Sequence, residues 1–129
     1  MPHPSNRLNR IRIVRQETKV FLIRVKDQDG RVIKPGSGLV AYMTVKASVA
    51  STDALISKQS GDGIEPHDED QWRVTLETDD TEIVAGTYKW DFWLEDQSKT
   101  PVVRRPVVRA ADAEVVNGVT TFPVVGSGP

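Results

Sequence analysis

Apolar and polar residues alternate at every second position along most of this chain, a period that is typical of strands with one buried face. Turn residues such as Asp29-Gly30 separate the alternating segments at intervals of about 8–12 residues. Valine is frequent and leucine is scarce, which also favours strands. The alternating segments are RIRIVR, TKVFLIRVK, LVAYMTVK, QWRVTLE and TYKWDFWLE. The pattern predicts an all-β fold, an antiparallel β-sandwich of about seven or eight short strands.

Three further segments are less regular. DALISK is predicted as a short or edge strand, and SGDGIEPHDED as a loop, because turn-forming and acidic residues dominate it. PVVRRPVVRA is predicted as a strand, in which Pro106 indicates an edge or a bulge because it has no amide hydrogen to donate. Residues 1–9 are polar and contain two prolines, so we expect an extended N-terminal arm, then a sandwich over 10–120 and a C-terminal tail over 121–129.

Aromatic residues concentrate in TYKWDFWLE, which is either a substrate-binding platform or a central strand of the core. Tyr88, Trp90 and Phe92 alternate with polar residues and share a face with Leu94. We therefore assign these three aromatic side chains to the core, together with Trp72 of QWRVTLE. Tyr88 also follows a turn that contains glycine, which is similar to the tyrosine corner of immunoglobulin-like sandwiches, whose hydroxyl bonds nearby backbone.

Trp93 points to the other face of the same segment, beside Asp91 and Glu95. A large aromatic side chain in this position is either covered by a loop or arm, or belongs to an interface. We favour the interface.

The net charge is only −1, but the charges are unevenly distributed. Residues 1–50 carry ten Lys/Arg and three Asp/Glu (+7), residues 51–100 carry four and thirteen (−9), and the remainder carries three and two (+1). The split allows either opposed basic and acidic poles, suited to contact between copies, or cross-strand pairing within the fold. For the first arrangement, the expected contacts are Arg7, Arg10 and the consecutive acids Asp68, Glu69 and Asp70, which nothing local is expected to neutralise.

Little in the sequence indicates catalysis. The chain has no cysteine, which excludes disulfides, thiolate metal sites and a cysteine nucleophile. No nucleophile elbow, phosphate-binding loop or zinc-protease motif occurs, so no enzyme, cofactor or metal is predicted. His67 lies among acidic residues, where a solvated loop is favoured over a calcium site. Nucleic-acid binding is not predicted from the few N-terminal arginines, and neither a membrane segment nor a secretory signal is predicted.

A longer pattern extends over about residues 10–120. Its most specific part runs from Asp80 to Asp91, where an acidic residue and a threonine precede apolar residues and the sequence Ala-Gly-x-Tyr-x-x-Asp. It also includes VRQETKVFLIRVKDQDGRVI, GLVAYMTVKAS, DALISK and ADAEVVNGVTT. In order and spacing, the pattern resembles a family of tailed-phage virion proteins, the immunoglobulin-like N-terminal modules of upper baseplate proteins. The chain departs from the family at Gln16-Glu17, where a Gly-Asp pair is frequent, and at Arg104, Arg105 and Pro106.

The resemblance implies a non-enzymatic structural protein of a tailed phage or phage-like particle, with an immunoglobulin-like fold. Such a module docks in many copies on other virion proteins, as a baseplate or tail adaptor or as a capsid-surface decoration. It implies a location in the virion, after assembly in the cytoplasm of the bacterial host. An alternative from another class is a carbohydrate- or host-surface-binding module that uses Trp93 and Tyr42 as a stacking surface.

Overall fold

The structure, a computed structural model, describes residues 9–118, and this range contains strands and no helix. Its ten strands are β1 (Ile11–Val14), β2 (Lys19–Ile23), β3 (Val25–Lys26), β4 (Val32–Ile33), β5 (Leu39–Lys46), β6 (Ile56–Ser60), β7 (Gly63–His67), β8 (Gln71–Leu76), β9 (Gly86–Asp96) and β10 (Val103–Val116). The predicted arm over 1–9, except Asn9, and the predicted tail over 121–129 lie outside the described residues. Within 9–118, no helix is both long and apolar enough to cross a membrane.

Eight of these strands form one sheet in the order β1-β10-β9-β5-β6-β7-β8-β2, and β3 and β4 form a separate hairpin. The large sheet folds over itself into a nearly closed, barrel-like sandwich. Across the interior, Phe21 of edge strand β2 meets Trp90 of β9 edge to face, with ring centroids 5.9 Å apart. Trp72 of β8 and Phe92 of β9 make a similar contact at 6.5 Å. The predicted all-β sandwich is therefore confirmed.

The prediction of purely antiparallel pairing is wrong for two pairs. β1 runs parallel to the end of β10, with Ile11 opposite Ala113, and β6 runs parallel to β7, with Gln59 opposite Gly63. The first pair joins the two ends of the described chain, so it leaves no turn signal in the sequence from which it could be predicted.

The segment predicted as a loop over residues 60–70 contains strand β7, and that prediction is corrected. Ile64 is fully buried and pairs with Val74 of β8, which gives the segment an anchor in the core. Gly63 has a φ of +94°, and a Cβ atom there would approach the Lys58 side chain to 2.4 Å, so glycine is needed for this bend. The glycines that indicated a loop instead shape the entry of a strand.

β10 is a single strand of 14 residues that continues beyond the predicted strand PVVRRPVVRA to Val116. The predicted irregularity at Pro106 is confirmed, because the register against β9 shifts between Pro106 and Val108 and again between Val108 and Ala111. Among residues 9–118, β1 covers only the last part of β10, from Ala113 onward, so the first part has an open edge where a proline is tolerated. In the second bulge, the backbone N–H of Ala110 donates to Asp91.

The interior is filled by the alternating residues. Trp72, Trp90 and Phe92 are 2%, 3% and 0% exposed, as their positions in the pattern predict. The indole Nε1 of Trp90 donates to the backbone oxygen of Asn9 at 2.9 Å, so the buried polar group is satisfied. Tyr88 is half-buried, and its hydroxyl donates to the backbone oxygen of Val84, which is the backbone contact that its position suggested.

Candidate functional site

The outer face of the sheet carries two aromatic side chains on neighbouring strands. Tyr42 of β5 is the antiparallel partner of Trp93 of β9, and Trp93 is in turn opposite Pro106 of β10. All three are half-buried: alternation places Tyr42 and Trp93 opposite the core residues of their strands, and Pro106 pairs with Trp93 just before the register shift in β10. A shallow hollow of about 440 Å³ lies over the two aromatic side chains. It is lined by Tyr42, Thr44, Trp93, Leu94, Glu95 and Arg104. We call Tyr42, Trp93, Glu95 and Arg104 the Trp93 face.

A fixed carboxylate lies beside these rings. Glu95 is 8% exposed, and its Oε2 accepts a hydrogen bond from Arg104 Nε at 2.7 Å. Its Oε1 accepts from Gln97 Nε2 at 2.9 Å, and the Tyr42 hydroxyl lies 3.5 Å from the same atom. The hydrogen bond from Gln97, followed by that from Arg104, lowers the pKa of Glu95 against the opposing effect of burial. Glu95 is therefore an anion at neutral pH and holds Arg104 in place.

A second ion pair lies further along the same outer face. Lys89 Nζ of β9 is 2.5 Å from Asp112 Oδ1 of β10, and this hydrogen bond lowers the pKa of Asp112. Arg10 contributes a smaller electrostatic effect in the same direction. The charges of this face are thus compensated in pairs across strands. A general acid or base needs a pKa near the working pH, and the pKa values of Glu95 and Asp112 are shifted in the opposite direction.

The predicted acidic contact, Asp68, Glu69 and Asp70, forms the turn between β7 and β8. The expectation that nothing local neutralises it is wrong, because Asp70 Oδ2 is 3.3 Å from Arg24 Nη2. His67 Nε2 is 3.4 Å from Asp68 Oδ2, and Glu69 makes no ion pair within residues 9–118. Within the same range, no group of three or more His, Asp or Glu side chains is arranged to hold a metal ion.

The basic residues of the N-terminal part have separate environments. Arg10 directly precedes the short edge strand β1 and Arg12 lies within it, and both are exposed, whereas Arg7 lies outside the described residues. Arg15 Nη2 is 2.8 Å from Glu82 Oε1, which together with Arg24 and Asp70 links the basic first part of the chain to its acidic middle. These two ion pairs favour pairing within the fold over fully separated poles.

The structure brings Trp93 together with Tyr42, as the alternative stacking surface requires. Sequence reasoning did not assign Glu95, Gln97 or Arg104 to a site. Alternation does place Glu95 on the same side as Trp93, and this signal was available. The position of Arg104 opposite Glu95 follows from the register of β10 against β9, which the sequence does not show.

Comparison with known proteins does not assign this chain to a family. Neither the family models nor the curated proteins with which the chain was compared match it.

Proposed function

We propose that this chain is a non-enzymatic structural protein of a tailed phage or phage-like particle, and that its Trp93 face binds another virion protein. The proposal takes the β-sandwich as an immunoglobulin-like module and takes the chain to be present in many copies in the virion. It is supported by the sequence resemblance over about residues 10–120 and by the surface on which Trp93 lies.

One observation carries the binding role, namely the placement of Trp93 on the outer side of β9. Trp93 lies between Tyr42 and Pro106 on the adjacent strands, with Glu95 and Arg104 fixed at its border. Tryptophan, tyrosine and arginine are the residues that contribute most to binding energy at protein interfaces, and they are most effective when surrounded by contacts that exclude water. Because the ion pair already orients Arg104, little side-chain entropy is lost when a partner covers the face.

The same face gives no support to catalysis. Its carboxylate, Glu95, has a lowered pKa because Gln97 and Arg104 donate hydrogen bonds to it, which stabilises the charged form at neutral pH. A docking protein needs such permanently ordered contacts, either as a baseplate or tail adaptor or as a decoration of the capsid surface.

Incorporation into particles tests this proposal. Particles are purified from cells that produce the wild-type chain or Trp93→Ala, and the copy number of the chain is measured by mass spectrometry against a shell protein. We expect Trp93→Ala to lower incorporation at least tenfold, because truncation of a central aromatic residue commonly costs about 2 kcal/mol or more of binding free energy. Val84→Ala is the matched control, since its side chain is 74% exposed and it lies in the loop before β9, outside the Trp93 face. Equal incorporation of a folded Trp93→Ala chain would refute docking through this face.

A second candidate function, carbohydrate binding, is favoured by the pairing of Tyr42 with Trp93. The two neighbouring aromatic side chains that line the shallow hollow offer apolar surface for sugar rings. Glu95, Gln97 and Arg104 offer hydrogen-bonding groups around the hollow. A glycan-binding screen with Trp93→Ala as the control separates the two functions. Specific binding that the substitution abolishes, together with normal incorporation, would favour the carbohydrate module.

A further inference from the structure

A second concave site lies at the end of the sandwich where β5 begins and β9 ends. It is lined by Ile33, Ser37, Leu39, Leu94, Asp96, Ser98, Lys99, Val103 and Arg105, and we call it the end cleft. Its volume is about 530 Å³, within the roughly 300–1,000 Å³ that is usual for small-molecule sites. Gly38, with a φ of +86°, lets the preceding loop approach Ser98, to which a Cβ atom at position 38 would come within 3.4 Å.

The floor and one wall of the end cleft are apolar. Leu94 is 3% exposed and belongs to the core, and Ile33 packs against the core from the β3–β4 hairpin. Leu39 is half-buried, while Val103, at the start of β10, is 46% exposed. An apolar group bound here would cover the exposed part of Val103 and would gain about 25 cal/mol for each Å² of apolar surface removed from water.

The carboxylate of Asp96, in the end cleft, is hydrogen-bonded within its own turn. Asp96 Oδ1 accepts hydrogen bonds from the backbone N–H of Ser98 at 3.0 Å and from Ser98 Oγ at 2.5 Å. These bonds, more than the nearby Lys99 and Arg105, lower the pKa of Asp96. The side chain of Asp96 is thus directed to Ser98, and neither cation of the cleft makes an ion pair with it.

Lys99 and Arg105 are the two cations of the end cleft. Within residues 9–118, neither has a carboxylate within 4.0 Å, in contrast to Arg104, which is bound to Glu95 on the other side of the sheet. With Asp96 included, the formal charge of the lining is 2 − 1 = +1. An apolar floor below two cations, in a lining whose formal charge is +1, is complementary to a molecule with an apolar body and one negative charge.

We infer that the end cleft binds a small amphipathic carboxylate, with its apolar body against Leu94 and Leu39 and its carboxylate between Lys99 and Arg105. The guanidinium of Arg105 can donate two parallel hydrogen bonds to the two oxygens of a carboxylate, and Lys99 supplies a second positive charge. The end cleft adjoins the hollow at the Trp93 face through Leu94, which lines both, but it contains none of the residues that define that face, and the inference does not rest on the proposed virion role.

Octanoate is a suitable probe, with octanamide and octylammonium as its neutral and cationic counterparts. Each is titrated into ¹⁵N-labelled full-length protein, and backbone amide shifts are followed by NMR. We expect octanoate to cause saturable shifts at Leu39, Leu94 and Asp96. Octanamide should bind at least tenfold more weakly, and octylammonium should not cause saturable shifts at these positions. The octanoate affinity should fall as salt is raised, because the two cations are exposed and screened.

The double variant Lys99→Gln/Arg105→Gln should bind octanoate at least tenfold more weakly than the wild type. Arg12→Gln, which removes an exposed charge on β1, should bind it normally. Both variants are checked for folding from the dispersion of the same spectra, so loss of binding is distinguished from loss of structure. Absence of saturable shifts with octanoate, equal binding of octanamide, or normal binding by the double variant would each overturn the inference.

Discussion

Two tryptophans three positions apart in β9 have opposite environments. Trp90 is 3% exposed and donates its indole N–H to Asn9, whereas Trp93 lies half-buried on the outer face beside Tyr42. A strand directs successive side chains to opposite faces, so an odd spacing of three separates the two rings across the sheet. The aromatic residues of this segment therefore belong partly to the core and partly to the outer surface. Single substitutions can test the two roles separately.

Phe92→Ala should lower the free energy of unfolding by about 3–5 kcal/mol, because a fully buried ring is lost and the surrounding strands close only partly over the cavity. Urea denaturation of the purified chain measures this change. Trp93→Ala is the matched control from the same strand and should cost less than about 2 kcal/mol, since its ring is only half-buried. A loss below about 1 kcal/mol for Phe92→Ala would show that this face of β9 is not core.

The lowered pKa of Glu95 predicts a specific dependence of stability on pH. Its ordinary pKa is 4.5, and the folded value lies below that because Gln97 and Arg104 bind the charged form. A carboxyl group with a lowered folded pKa stabilises the fold above its unfolded pKa and loses this contribution as pH falls through the folded value. Wild type should therefore exceed Glu95→Gln in urea midpoint above about pH 5, and the difference should shrink as the pH falls below the ordinary pKa of 4.5. A difference that stays constant from pH 7 to pH 3 would contradict this role of Glu95.

At the scale of the elements, alternation predicted the strands that have one buried face and failed where few side chains enter the core. β5, β8 and β9 were predicted because three or more alternating apolar residues in each mark the inner face. β7 was missed because Ile64 is its one fully buried side chain, and its glycine and proline are ordinary loop residues. Pro106 correctly indicated a bulge, but the continuity of β10 through two bulges depends on pairing with β9 that the sequence does not display.

From the exposed surface of edge strand β2 we expect copies of the chain to associate with one another. Val20 and Leu22 are 53% and 44% exposed, and within residues 9–118 only β8 pairs with this strand. An open edge with apolar side chains is a template for pairing with another chain, and a lysine disfavours that pairing. Leu22→Lys should therefore reduce association at high concentration in sedimentation experiments and should change stability by no more than about 0.5 kcal/mol. Thr52→Lys, which adds the same charge in a loop, should leave association unchanged; an equal reduction by both variants would assign the effect to net charge.

For the whole molecule, the sequence predicted the class of fold but not how its surfaces are assembled. Tyr42 and Trp93 are about fifty positions apart, and only the register of β5 against β9 makes them partners. The charge split was visible in the sequence, yet Arg15 and Arg24 pair with acids of the middle part through the folding of the sheet. Periodicity gives the face on which a residue lies, whereas its neighbours on that face depend on long-range pairing.

Deletion of residues 2–8 tests the predicted arm. The described fold begins at Asn9, whose backbone oxygen accepts the Trp90 indole hydrogen, and this deletion keeps that residue. The melting temperature of the isolated chain should therefore stay within about 2 °C of the wild type, because no described core contact is removed. Incorporation into particles should fall if the arm contacts another virion protein. Normal incorporation of the shortened chain would remove the arm from the proposed interface.

The parallel pairing of β1 with β10 has a consequence for how the chain reaches this structure. Ile11 and Ala113 are neighbours although 113 − 11 = 102 positions separate them, so one of the sheet's ladders closes only after nearly the whole chain is available. Contacts of such long sequence separation slow folding, and β-rich domains dominated by them typically fold in milliseconds to seconds. During synthesis at about 5–20 residues per second, several seconds pass between the synthesis of β1 and that of its partner strand, β10. Until then β9 also lacks β10 along one edge, and the order of synthesis makes β10, the last of the described strands to emerge, the one that completes the described sheet.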